Sequence, residues 1–213
     1  MGSTPVFDYL KDPSEIYRRS FATVRAEAEL DQFTGLATNV VVRMIHACGM
    51  VDIAPDIRIS EGAAEAGVRA LETGCPICVD AEMVGAGIIR QRLRRHNPVI
   101  CTLNDPAVVD MAADLTTTRS AAAVELWRDQ LEGCIVVIGN APTALFHLLE
   151  IINQGGPRPA LILGFPVGFI GAAESKQALS QQSDGVPFIT LLGRRGGSAI
   201  AAAAVNALAG DQS

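Results

Sequence analysis

Apolar positions change their rhythm part-way along the chain. Up to about residue 72 they recur at helical spacing; beyond it, short continuous apolar runs alternate with helical patterns. Asp12-Pro13-Ser14-Glu15 reads as a helix start: Asp12 is the N-cap, Pro13 the first helical position, and Glu15 reaches back as in a capping box. That helix runs to about Leu30, and its Arg18, Arg19 and Ser20 are within reach of a ligand or of solvent. In the next helix Val40, Met44 and Ala47 share one face, while Asn39, Arg43 and His46 share another, so one face packs and the other can bind. Gly49 is its stop. His46 then lies in the last turn, where unpaired carbonyls favour the imidazolium. Residues 52–59 read as a connector, and Ser60-Glu61 opens a further helix through Glu72.

Five apolar runs follow, at 76–79, 99–103, 134–138, 160–165 and 187–192, separated by helical patterns. Continuous runs of this length are strands buried on both faces. The expected fold is therefore α/β: one doubly wound domain over residues 1–213, with a mostly parallel sheet of about five strands and helices on both faces. Ligands of such sheets bind beyond the carboxyl ends of the strands, here residues 80–82, 104–106, 139–143, 164–168 and 193–197. Two residues there also suit structural duty. Asp105 before Pro106 and Asn140 ahead of Pro142 are good helix N-caps.

Composition narrows the function classes. With 213 residues, 49% of them hydrophobic, the chain can bury a sizeable core. A net charge of −6 argues against a nucleic-acid partner, and no apolar stretch reaches the roughly 20 residues of a membrane span. The start lacks a basic, apolar, cleavable segment, and Val6 stands where a myristoylation signal beginning Met1-Gly2-Ser3 needs Ser or Thr, so a cytoplasmic location is expected. Five cysteines read as reduced thiols; Cys75-Pro76-Ile77-Cys78 lies within a strand-like run and has no second pair to complete a zinc site. Neither G-x-G-x-x-G after the first strand, nor G-x-x-x-x-G-K-[ST], G-x-S-x-G or H-E-x-x-H occurs. The turn over 193–198 is glycine-rich and could cradle an anion. Arginine outnumbers lysine 15 to 2, and the basic segment 90–96 reads as an exposed helix end that could rim a pocket for an acidic ligand.

Five blocks in order carry a family resemblance: Ile16-Tyr17-Arg18-Arg19-Ser20-Phe21, Arg43-Met44-Ile45-His46-Ala47-Cys48-Gly49, Asp80-Ala81-Glu82-Met83, Gly139-Asn140-Ala141-Pro142-Thr143-Ala144-Leu145 and Gly164-Phe165-Pro166-Val167-Gly168-Phe169. The chain closely resembles the precorrin-8X methylmutases of the vitamin B12 pathway from about Tyr9 to Leu208. The resemblance implies a doubly wound homodimer with pockets near the subunit interface, and no redox cofactor, nucleotide or protein-held metal. It implies an isomerase that moves a methyl group from C-11 to C-12 of precorrin-8X, giving hydrogenobyrinic acid. His46 matches the family's catalytic histidine, a general acid that protonates the macrocycle. Ser20 and Arg43 match substrate-contacting positions, and Arg119, Asn140, Thr116 and Thr117 are further expected contacts. A related branch acts on the cobalt-containing macrocycle. The alternatives are a tetrapyrrole carrier without catalysis, which needs the arginines but no proton donor, a methylmutase acting on the cobalt-containing macrocycle, and a nucleotide-binding domain using the 193–198 turn; as an enzyme, the protein is expected to hand its product to the next enzyme of the pathway.

Overall fold

The strands are β1 (Ile57–Ile59), β2 (Ile77–Val79), β3 (Val99–Ile100), β4 (Ile135–Ile138), β5 (Leu161–Gly164) and β6 (Phe188–Leu191). The structure, a computed structural model, describes residues 7–210, so Met1-Gly2-Ser3 and Val6 lie outside the described residues. The strands form one sheet in the order β1-β6-β5-β4-β2-β3. All five expected runs become strands, parallel to one another.

β1 makes a sixth. Residues expected to be a connector form a 3-10 turn, Val51–Asp56, and then a strand antiparallel to β6, pairing Ile57 with Leu191 and Ile59 with Ile189. Three residues are too few to show a period; the open edge of β6 makes them a strand. Ser60 extends this pairing instead of opening a helix. Its N–H donates to Phe188 O at 3.0 Å and its Oγ accepts the Phe188 N–H at 2.8 Å.

Ten helices flank the sheet among the described residues: α1 (Pro13–Glu27), α2 (Gly35–Cys48), α3 (Ala63–Glu72), α4 (Glu82–Gly87), α5 (Ala107–Asp114), α6 (Arg119–Glu125), α7 (Arg128–Leu131), α8 (Pro142–Asn153), α9 (Ala172–Gln182) and α10 (Ser198–Leu208). Successive strand residues point to opposite faces and feed two cores. Ile77, Val79, Ile135, Val137, Leu161 and Leu163 meet α2, α3, α4 and α10. Cys78, Val136, Ile138, Ile162 and Phe188 meet α6, α8 and α9. Around the two cores the thiols behave as apolar groups. Burial pushes Cys75 up to about 11, and Cys134, buried against Cys78, is pushed up as well, so both stay protonated at neutral pH.

Because β3 lies outside β2 while β4, β5 and β6 grow in the other direction, the topology reverses between β2 and β4. Sheets of this kind usually take ligands at that point. Here the loop after β4 is tied down by the protein itself. Asp80, 2% exposed, accepts the N–H groups of Gly139, Asn140 and Ala141 at 2.8, 2.9 and 2.7 Å. Burial raises its pKa against the pull of those three bonds. The expected capping role of Asn140 is thereby displaced: Ala141 is the cap residue of α8, and the carboxylate one strand away takes the loop amides. Gly139 is required there, because a Cβ would come within 2.9 Å of Ser198 Cα on α10. Asp105 also sits one residue early. Its Oδ1 accepts the Ala107 N–H at 2.9 Å, with Pro106 between it and α5. The turn over 193–198 is filled in the same manner: Gly197 N–H donates to Phe165 O at 2.8 Å, Lys176 Nζ donates to Arg195 O, and the Arg195 side chain pairs with Asp52 and Asp56.

Candidate active site

The candidate site is built from two helices, α1 and α2, and not from strand ends. Asp12 starts α1 as expected, its side chain accepting the Glu15 N–H at 2.8 Å. Tyr17, Ser20 and Phe21 follow at spacings of three and four, which brings them to one face. That face meets α2, which packs chiefly on α10. α2 is enclosed more completely than its pattern suggests. Val40 to Ile45 are buried without a break, Arg43 included at 8% exposure, whereas Ala47, expected on the packed face, is exposed. Gly49 ends the helix in the left-handed conformation (φ 69°), its N–H returning to Ile45 O at 2.8 Å.

Ser20, Arg43 and His46 come together. Ser20 Oγ lies 2.8 Å from His46 Nδ1. Arg43 donates to the Tyr17 hydroxyl, and its guanidinium carbon stands 5.5 Å from the Tyr17 ring centroid and 5.4 Å from that of Phe21. Tyr17 and Phe21 stack with centroids 4.3 Å apart, and the Phe21 ring lies 4.9 Å from the imidazole. Sequence reasoning missed this aromatic pair. The available signal was an aromatic residue at i and i+4 flanking Ser20 on the face opposite Arg43. Arg18 and Arg19 take no part: both pair with Glu15, at 2.7 and 2.6 Å, and hold its carboxyl near 2.

The charge state of His46 differs from the helix-end expectation. Its pKa is lowered from the ordinary 6.5, first by burial of the ring and then by the positive charge of Arg43 one turn earlier. A hydroxyl both donates and accepts, so Ser20 can hold the ring in either charge state. When Ser20 donates to Nδ1 the neutral ring carries its hydrogen on Nε2; in the charged ring Nδ1–H donates to Ser20 and Nε2 keeps its hydrogen. Either arrangement offers an Nε2–H to a ligand.

Arg119, Asn140, Thr116 and Thr117 form a second group, at the carboxyl ends of β3 and β4. Arg119 Nη2 donates to Leu103 O at 3.1 Å and to Asn104 Oδ1 at 3.3 Å. Thr118 caps α6 and its hydroxyl meets that of Thr143 at 2.8 Å, tying this loop to the start of α8 next to Asn140. Thr116 takes a left-handed backbone (φ 51°), a strained position for a β-branched residue. Among the described residues, no hydrogen bond, ion pair or ring contact joins this group to His46.

Comparison with known proteins is unambiguous. The family model described as precorrin-8X methylmutase matches residues 15–210. A precorrin-8X methylmutase of Pseudomonas aeruginosa is 58% identical, covering 96% of this chain and 98% of the relative. One from Sinorhizobium sp is 53% identical with the same coverage. A cobalt-precorrin-8 methylmutase of Priestia megaterium is 36% identical over 92% of this chain and 87% of the relative. The crystal structure of a precorrin-8X methylmutase from Thermus thermophilus superimposes with a TM-score of 0.83 at 44% identity, covering 92% of this chain and 94% of that one. With a matched fold and near-complete coverage, the chain belongs to the precorrin-8X methylmutase family and is an intramolecular transferase of cobalamin biosynthesis.

Proposed function

We propose that His46 is the proton donor for a C-11 to C-12 methyl shift converting precorrin-8X to hydrogenobyrinic acid, with Ser20 holding its ring and Arg43 binding a substrate carboxylate. The observation that carries this reading is the 2.8 Å contact between Ser20 Oγ and His46 Nδ1, which leaves Nε2 to the ligand. Nε2–H passes its proton to a nitrogen of the macrocycle. The conjugated system becomes electron-poor, the methyl group migrates within the same molecule, and the nitrogen returns the proton to His46. Nothing is gained or lost overall. A positioned acid contributes on the order of 10²–10⁴-fold in rate, and the remainder comes from holding the macrocycle in a reactive shape.

The lowered pKa of His46 fits this cycle. In the free protein burial and Arg43 keep the ring neutral. A carboxylate paired with Arg43 offsets the second of these influences, so substrate binding raises the pKa of the acid. The metal-free macrocycle is the substrate assigned, since the relatives at 58% and 53% identity are named for precorrin-8X and that at 36% for cobalt-precorrin-8. Arg119, Asn140, Thr116 and Thr117 are proposed as additional contacts. A homodimer in the cytoplasm, handing its product to the next enzyme, completes the reading. Exposed Phe169 and Ile170, at 81% and 89%, supply apolar surface of the kind a subunit interface covers.

The test is the visible spectrum of precorrin-8X mixed with wild type and with His46→Ala. Conversion by wild type alone supports the proton donor. Equal conversion by both removes His46 from the mechanism, and binding without conversion by either makes the protein a carrier or the cobalt-containing macrocycle its substrate.

A further inference from the structure

A cleft of about 680 Å³ opens at the amino-terminal side of the sheet, between the second half of α1, the first half of α2, the end of α10 and the segment after α4. It shares Arg43 and Phe21 with the His46 group, and His46 itself is not among its lining residues. Arg25, Arg92, Arg94 and Arg95 join Arg43 around it, against a single carboxylate among the described residues, Glu72. The molecule as a whole carries −6, so this concentration of positive charge runs counter to its average. Between the guanidinium groups the wall is apolar, with Leu36, Leu71 and Leu208.

The basic segment is held rigidly. Two buried asparagines pin it at either end: Asn206 of α10 accepts the Ile89 N–H at 2.8 Å and donates to Gly87 O at 2.9 Å, and Asn97 donates to Leu71 O and Cys75 O at 3.1 and 2.9 Å. Leu93 is buried between them, at 4% exposure. Arg95 Nε donates to Glu72 O at 3.1 Å. The exposed Arg94 and Arg95 make no ion pair among the described residues. A segment fixed by buried hydrogen bonds and displaying guanidinium groups at a cleft is preorganised for an anion. A small inorganic anion would have no use for the apolar wall, whereas a flat macrocycle with carboxylates on its rim needs both.

We propose that this cleft binds the carboxylate-bearing rim of the macrocycle, with Arg25, Arg94 and Arg95 setting affinity and Arg43 joining the cleft to the His46 group. The site rests on its own geometry; only the identity of the ligand rests on the methylmutase reading. Hydrogenobyrinic acid is titrated, by visible absorbance, into wild type, Arg94→Glu and Arg69→Glu, the last being an exposed residue of α3 outside the cleft. Turnover of precorrin-8X is followed for the same three proteins. Arg94→Glu raises Kd and KM roughly tenfold, the change falls on KM and not on kcat, and it shrinks at high salt, while Arg69→Glu behaves as wild type. Wild-type Kd and KM in Arg94→Glu, or equal weakening in both variants, overturns the cleft and leaves the catalytic reading standing. Binding that depends on Arg94 in a wild type that converts nothing upholds the cleft and overturns the catalytic reading. Failure of wild type to bind the pigment overturns both.

Discussion

At His46 several influences compete, and their balance sets what the free protein can do. The helix end favours the imidazolium by about 0.3–1 kcal/mol. Burial of the ring and the neighbouring Arg43 act the other way and prevail. Sequence spacing placed Arg43 and His46 on one face, but it could not show that the ring turns onto α1, among Tyr17, Ser20 and Phe21. That environment is tertiary and outweighs the local dipole. In the proposed mechanism Ser20 acts through the ring, as a positioning residue. Ser20→Ala removes one hydrogen bond worth about 1 kcal/mol, so kcat falls roughly fivefold while KM is nearly unchanged, and Ser20→Thr restores the rate. The kcat profile of Ser20→Ala also shifts along the pH axis, which loss of packing alone would not cause.

Among the elements, strands and their order of appearance were legible because continuous apolar runs have few other uses. β1 was not, since its three residues become a strand only beside β6. The loop after β4 shows the same limit. Asn140 has every local mark of a cap, yet the acceptor for this loop is Asp80, 60 residues away in sequence. Asp80→Ala leaves three amides without their acceptor and destabilises the fold by about 3 kcal/mol. Asp80→Asn, keeping one acceptor oxygen, costs less. Urea unfolding measures both, and a midpoint unchanged in Asp80→Ala would show that the loop finds other partners. The second group of proposed contacts depends on this loop, so the substitution also weakens substrate binding.

At the scale of the molecule, an acidic protein carries a basic cleft and the helix pair of the proposed proton donor on one side of its sheet. Composition showed the first and concealed the second, because net charge averages over the surface. The proposed homodimer would cover the apolar side chains left exposed after β5. Sedimentation of the purified chain at micromolar concentration gives a mass twice 22.4 kDa if the homodimer is right; a single 22.4 kDa species contradicts it.

The central claim is that substrate binding raises the pKa of His46. The sequence has three histidines, so the His46 imidazole signal can be assigned by comparison with His46→Ala and titrated by NMR, free and with hydrogenobyrinic acid bound. In the free protein its pKa lies below 6.5; in the complex it rises, because the bound carboxylate offsets the charge of Arg43, so a larger fraction of the acid holds its proton and the rate falls as pH climbs through the raised pKa. A His46 pKa that is unchanged or lowered in the complex contradicts the account.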